Sequence, residues 1–197
     1  MCIRDSWWDT PDLQAVLDFF LLAGDDIYDD LIGTSVVRLY ERLNHWLKSN
    51  WKFQARKNIS YHYDLGNQFY REWLDKTMTY SSALFKNKKE VLSSAQTNKY
   101  ESICKNLNLK EGDSVLEIGC GWGGFAEHAI KTRGVKLTGL TLSKEQLDYS
   151  KKRMFELGMA DKSSFLLQDY RDEKGVYDGV VSIEMFEAVG EKYWPLY

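Results

Sequence analysis

A doubly wound α/β fold built on a parallel sheet, preceded by a helical extension, is the class this sequence predicts. From Val115 onward, short β-rich runs alternate with helical ones, which is the pattern of βαβ units. A cluster of glycines, Gly119, Gly121, Gly123 and Gly124, stands where the first such run gives way to a helical one. Ahead of position 58 the apolar side chains recur only at helical spacing.

In chain order, residues 12–23 place Leu13, Val16, Leu17 and Phe20 on one helical face, and residues 34–48 do the same with Val36, Val37, Tyr40, Leu43 and Leu47. Asp9-Thr10-Pro11 supplies a capping residue and a proline for the first of these helices, and Gly24-Asp25-Asp26 a stop. Between Glu41 and Asp64 there is no acid, and Arg42, Lys48, Lys52, Arg56 and Lys57 interleave with Trp46, Trp51, Phe53, Tyr61 and Tyr63. Lys48, Lys52 and Arg56 recur every four residues, so a helix would align them either as a solvated face or as a contact for anionic lipid headgroups. A helix over 91–107 leads into strands predicted at 114–118, 136–140, 164–167 and 179–183, with helices at 124–132 and 144–157 between them. The division is a helical extension over 1–57 and the front part of an α/β domain over 58–197. Four strands leave the last one as an uncovered apolar edge, so the chain reads as a fragment lacking later strands.

Bulk properties narrow the function classes. The 197 residues are 44% hydrophobic and 28% charged, with a net charge of -3 and a pI near 5.7, so no global basic field exists to capture nucleic acid. The longest apolar run, Phe19 to Ala23, is far short of a membrane span, and the first residues lack a signal-peptide pattern, which makes the cytoplasm the default compartment. Cys2, Cys104 and Cys120 are odd in number and without C-x-x-C spacing, which argues against a disulfide framework and against a metal site. His45 and His128 fall on predicted helices, and His62 among tyrosines reads more readily as a structural hydrogen-bonding group than as a catalytic base.

The run from Leu116 to Gly124 carries the most chemistry. Gly119, Gly121 and Gly124 also satisfy G-x-G-x-x-G, so a dinucleotide site must be weighed. Two features oppose it: an acid, Glu117, lies before the glycines, and the second strand's end, Gly139 to Ser143, offers no acid to hold a ribose. A carboxylate on the first strand suits a ligand bearing an ammonium group, such as the methionine end of S-adenosylmethionine, and would repel a pyrophosphate.

Four blocks then resemble the cyclopropane-fatty-acid synthases and their mycolic-acid relatives: Tyr61 to Tyr70, Met78 to Phe85, the glycine run with Gly139 to Ser143, and Ser182 to Gly190. The resemblance implies a Rossmann-like S-adenosylmethionine-dependent methyltransferase domain. Tyr80 and Ser81 match cofactor contacts, and Gly119, Cys120, Gly121, Trp122 and Gly123 match the cofactor loop that follows Glu117. Thr141 and Gln146 match sugar contacts, with Leu142 and Ser143 in the same turn, and Asp169 with Tyr170 matches the segment beside the adenine. Glu187 matches an acid that helps bind a bicarbonate ion thought to act as base. Two departures stand out: Ser82 replaces the usual cysteine of Y-S-C-A, leaving cyclopropanation against simple methylation open, and the remaining bicarbonate ligands fall after Tyr197.

The chemistry agrees with that resemblance. An alkene is a feeble nucleophile, so the methyl donor must be strongly electrophilic and the double bond held against it. The cation left by attack suits aromatic faces, for which Tyr63, Phe69, Tyr70, Tyr80 and Phe85 are candidates if they are not simply core. Ring closure needs a positioned base, which the resemblance implies is the bicarbonate ion, with Glu187 helping to bind it and Ser82 standing where the family has its cysteine. The expected substrate is the unsaturated acyl chain of phospholipid at the inner membrane surface, with no nucleic acid partner. The alternatives are a soluble small-molecule substrate, with the extension as lid or homodimer contact, and a cofactor-binding fragment without activity.

Overall fold

The computed structural model describes residues 10–23, 66–189 and 191–197. The chain divides into two units, Met1–Ser49 and Asn50–Tyr197. The first contributes α1 (Leu13–Ala23), where Leu13, Leu17 and Leu21, one helical turn apart, are all exposed. Its cap is Asp12, one residue past the predicted Asp9-Thr10-Pro11: Asp12 Oδ1 accepts the Ala15 N–H at 2.9 Å, and the Thr10 hydroxyl in turn accepts the Asp12 N–H at 3.1 Å. The predicted helix at 34–48, the basic aromatic stretch, Cys2, His45, His62 and Tyr63 lie outside the described residues.

The second unit runs α2 (Gly66–Arg71), α3 (Leu92–Asn106), β1 (Ser114–Ile118), α4 (Gly124–Arg133), β2 (Lys136–Thr141), α5 (Lys144–Glu156), β3 (Ser163–Leu167), β4 (Gly179–Ser182) and α6 (Phe186–Val189). The strands form one parallel sheet in the order β3-β2-β1-β4. The chain therefore winds outward from β1 through β2 to β3, then returns to the other side of β1. The resulting switch point, between the C-terminal ends of β1 and β4, is where open α/β sheets bind ligands. β1 has the predicted bounds, whereas β4 stops one residue early because Glu184 adopts a left-handed φ of 50° that no strand can continue through.

Strand alternation sorts the core. Val115, Leu137, Phe165 and Val181 face one side and pack with Tyr100 and Cys104 of α3, Phe125, Ala129 and Ile130 of α4, and Met154 of α5. Leu116, Ile118 and Leu140 face the other side, against Tyr170, Tyr177 and Tyr197. Among the described residues, Cys104 and Cys120 are buried free thiols. Among the described residues no helix is long and apolar enough to cross a membrane.

Candidate functional site

Glu117 shares the alternation of Val115 and so points into the helix-covered face, one residue short of the strand end. It is buried, 3% exposed, and its Oε2 has no hydrogen-bond partner. Burial pushes its carboxyl well above the usual carboxylate range, and the nearby Arg153 guanidinium only partly offsets this. A buried acceptor with no partner is costly unless something supplies a donor, and an ammonium group is the donor best suited to a carboxylate.

The loop after it is shaped for close approach. Gly119 and Gly121 have φ of 78° and 52°, values that side chains resist. A Cβ on Gly119 would sit 2.6 Å from the Met185 side chain, whereas one on Gly121 would meet nothing within 4 Å. Gly119 is thus closed by the protein itself, and Gly121 faces open space. Cys120 and Trp122 are buried, and the Trp122 indole N–H donates to Asn67 Oδ1 of α2 at 2.6 Å.

Arg153 of α5 ties this loop to its surroundings. It pairs with Glu127 at 2.6 Å and donates to the carbonyls of Thr77 at 2.9 Å and Trp122 at 3.1 Å. The turn after β2 is knit internally. The Thr141 hydroxyl donates to Gln146 Oε1 at 2.9 Å and accepts the Ser143 N–H at 3.1 Å, while the Ser143 hydroxyl caps α5 through the Gln146 N–H at 3.3 Å. Leu142 is half-buried beside them. Beyond β3, the Asp169 carboxylate is held in a fork by Arg171, at 2.8 and 2.6 Å, and Tyr170 packs edge-on to Tyr197 at 4.8 Å. The Gln168 N–H donates to the Thr141 carbonyl at 3.1 Å, which brings the β2 and β3 ends together.

The segment at 80–82 closes the other side. Tyr70 lies 4.9 Å from Trp122 and 5.7 Å from Tyr80, and Tyr80 meets Trp73 edge-on at 5.2 Å. Tyr70 is buried, whereas Phe69, Tyr80 and Phe85 are half-exposed. The Ser82 N–H and hydroxyl both donate to Glu184 Oε1, at 2.7 and 2.5 Å.

The fold therefore gathers Glu117, the glycine loop, the 141–146 turn, Asp169 with Tyr170 and the 80–82 segment around the C-terminal edge of the sheet. Glu187 lies at the same edge, exposed on α6, and its charge is felt by the Tyr197 hydroxyl. The acid that reaches Ser82 is Glu184. Gln96, Lys99 and Arg153 were missed altogether, and the only available signal was polar residues on the inward faces of amphipathic helices. Among the described residues no group of histidine, cysteine or carboxylate side chains could hold a metal ion.

The mycolic acid cyclopropane synthetase family matches residues 50–197. The chain belongs to that family. It is 36% identical over 198 residues to the cyclopropane-fatty-acyl-phospholipid synthase of Escherichia coli, covering 98% of this chain and 49% of the relative. It is 37% identical over 208 residues to the tuberculostearic acid methyltransferase UfaA1 of Mycobacterium tuberculosis, covering 96% of this chain and 46% of that protein. The crystal structure of the mycolic acid cyclopropane synthase CmaA1, complexed with SAH and CTAB, superposes with a TM-score of 0.69 at 33% identity, over 72% of this chain and 50% of that one. The chain thus spans about half the length of the relatives it matches, and its sheet is that of the Rossmann-like class I methyltransferases.

Proposed function

We propose that the chain forms the cofactor-binding portion of an S-adenosylmethionine-dependent enzyme that adds a methyl or methylene group to the double bond of unsaturated phospholipid acyl chains at the membrane surface. The observation that carries the reading is the orphaned Glu117 oxygen, buried at the end of β1 and directly ahead of a glycine loop with open space at Gly121. When bound, S-adenosylmethionine supplies a methyl group made electrophilic by its sulfonium.

The residues fit that cofactor. Glu117 receives its ammonium group, and Gly119, Cys120, Gly121, Trp122 and Gly123 bring backbone N–H groups close because no side chain stands at Gly121. Thr141 and Gln146, pre-aligned by their mutual hydrogen bond, face the sugar, with Leu142 and Ser143 shaping the turn. Asp169, oriented by Arg171, and Tyr170 flank the adenine, and Tyr80 and Ser81 close the site. Trp73 and Tyr80, both exposed and edge-on to one another, offer aromatic faces that favour positive charge in the acyl chain without trapping it.

Glu187 is the acid assigned to proton removal. Bicarbonate fits less well, because Ser82 directs both of its donors to Glu184.

The test supplies the full-length protein with S-adenosylmethionine and phospholipid vesicles containing unsaturated chains, then follows the lipid by mass spectrometry. A gain of a CH2 unit on the acyl chain, with co-sedimentation on anionic vesicles, is expected. Methyl transfer confined to soluble acceptors would overturn the lipid assignment.

A further inference from the structure

Residues 80–85 adopt no regular secondary structure, so their order must come from side chains around them. Helix α3 supplies one set of contacts. Its Ala95 carbonyl accepts the Leu84 N–H at 3.1 Å, Gln96 Nε2 donates to the Ser81 carbonyl at 2.8 Å, and Asn98 donates to the Leu84 carbonyl at 3.2 Å. Lys99 Nζ reaches both serines, donating to Ser81 Oγ at 2.5 Å and to the Ser82 carbonyl at 2.6 Å. From the opposite side, Glu184 takes the Ser82 N–H and hydroxyl. The backbone of Ser82 is therefore gripped at its N–H by an anion from the end of β4 and at its carbonyl by a cation from α3.

The local backbone departs from its preference at this point. Glu184 stands at φ 50°, a region that costs a residue bearing a side chain of order 1–2 kcal/mol relative to glycine. The next residue, Met185, lies against Gly119, so the turn that sends the Glu184 carboxylate to Ser82 also seats Met185 on the cofactor loop. Strain of this kind persists where surrounding contacts over-determine it, and clusters at ligand clamps.

We propose that Lys99 and Glu184 are positioning residues that clamp Tyr80, Ser81 and Ser82 against the ends of α3 and β4 and thereby set cofactor affinity. The proposal rests on the reading that Tyr80 and Ser81 face S-adenosylmethionine. Burial holds the Lys99 ammonium down to about 8, against the opposing attraction of Glu184 and of Asp75 after α2, and its Nζ lies 5.1 Å from the Tyr100 ring centroid. As pH rises through that value the charge-assisted bonds to Ser81 and Ser82 weaken, and the clamp loosens.

Calorimetric titration with S-adenosylmethionine and S-adenosylhomocysteine, alongside thermal melts, tests this. Lys99→Met should weaken binding about tenfold or more, while Lys99→Arg, which keeps charge and donors, should stay within about threefold. The native chain should lose affinity relative to Lys99→Arg between about pH 7 and about pH 9.5, a comparison in which the cofactor's own titration cancels. Glu184→Gly removes the carboxylate and relieves the left-handed backbone, so affinity should fall about tenfold while Tm holds or rises. A fall in Tm together with affinity would make Glu184 a fold-maintaining residue and overturn the proposal. So would binding within about twofold in both Lys99→Met and Glu184→Gly. If the native chain binds neither ligand, the cofactor reading fails and the proposal with it; if the native chain binds and the variants bind equally well, only the clamp fails.

Discussion

Replacing Glu117 with glutamine separates the two roles that the buried carboxylate combines. In the free protein, Oε2 is buried without a hydrogen-bond partner, and burial raises the carboxyl well above its ordinary range. Glu117→Gln keeps the shape and still leaves a polar atom without a partner, but it removes the charge, so the free protein should gain stability, on the order of 1 kcal/mol or more, at pH values where the native carboxyl is ionised. For a domain of this size each kcal/mol is about 2–4 °C in Tm. The cofactor should bind less tightly, because a charge-assisted bond to its ammonium group, about 1.5–3 kcal/mol, is lost; that is roughly tenfold to a hundredfold in Kd. The pH dependence has a definite sign. A carboxyl whose folded pKa is raised binds its proton more tightly in the folded than in the unfolded state, so the free protein loses stability as pH climbs from the unfolded value, about 4.3, towards the folded one. Cofactor affinity should rise across the same window, since the ionised form meets the ammonium. Both slopes should flatten in Glu117→Gln. Melts across pH and calorimetry with S-adenosylhomocysteine measure each quantity. Binding within about twofold of the native chain, or a lower Tm, would refute the reasoning.

Gly121→Val should abolish cofactor binding while the variant still folds, at about 1–2 kcal/mol or more of backbone strain, because its side chain meets open space in the protein; a melt paired with calorimetry checks both halves. Gly119→Ala should lower Tm, because its Cβ would lie 2.6 Å from the Met185 side chain. Adding Met185→Ala should return part of that loss, giving a coupling of about 0.5–3 kcal/mol in a double-mutant cycle. Glu187→Gln in the full-length protein should leave cofactor affinity intact and lower turnover on the order of a hundredfold, as read by methyl incorporation into lipid; an unchanged rate would remove Glu187 from the proton-transfer role.

The sheet was legible because a buried parallel strand announces itself locally. Ser114 to Ile118 and Gly179 to Ser182 are short β-branched or apolar runs bounded by turn residues, and each βα unit repeats that alternation. The glycine loop was legible for a similar reason, since positive φ at Gly119 and Gly121 restricts the residue type position by position. The cap of α1 falls at Asp12, just past the predicted Asp9-Thr10-Pro11, because several residues there are competent caps and which one acts depends on where the first helical hydrogen bond closes.

By itself the sequence determined the order of elements from α3 to β4, the parallel α/β class and the place of the glycine loop, with an acid, Glu117, just ahead of it. These depend on residues within a strand or a turn of one another. Tertiary structure alone decided which acid meets Ser82. Glu184 and Glu187 are a single helical turn apart and chemically alike, and the choice turned on a left-handed backbone at Glu184 that aims its carboxylate across 102 positions of chain. It likewise decided that Lys99 and Arg153, ordinary polar residues of amphipathic helices when read in order, face inward to hold the Ser81 hydroxyl with the Ser82 carbonyl and the Trp122 carbonyl. Those contacts join segments far apart in sequence, and no local periodicity encodes which of several equivalent charged side chains the packing of helices on a sheet will bring together.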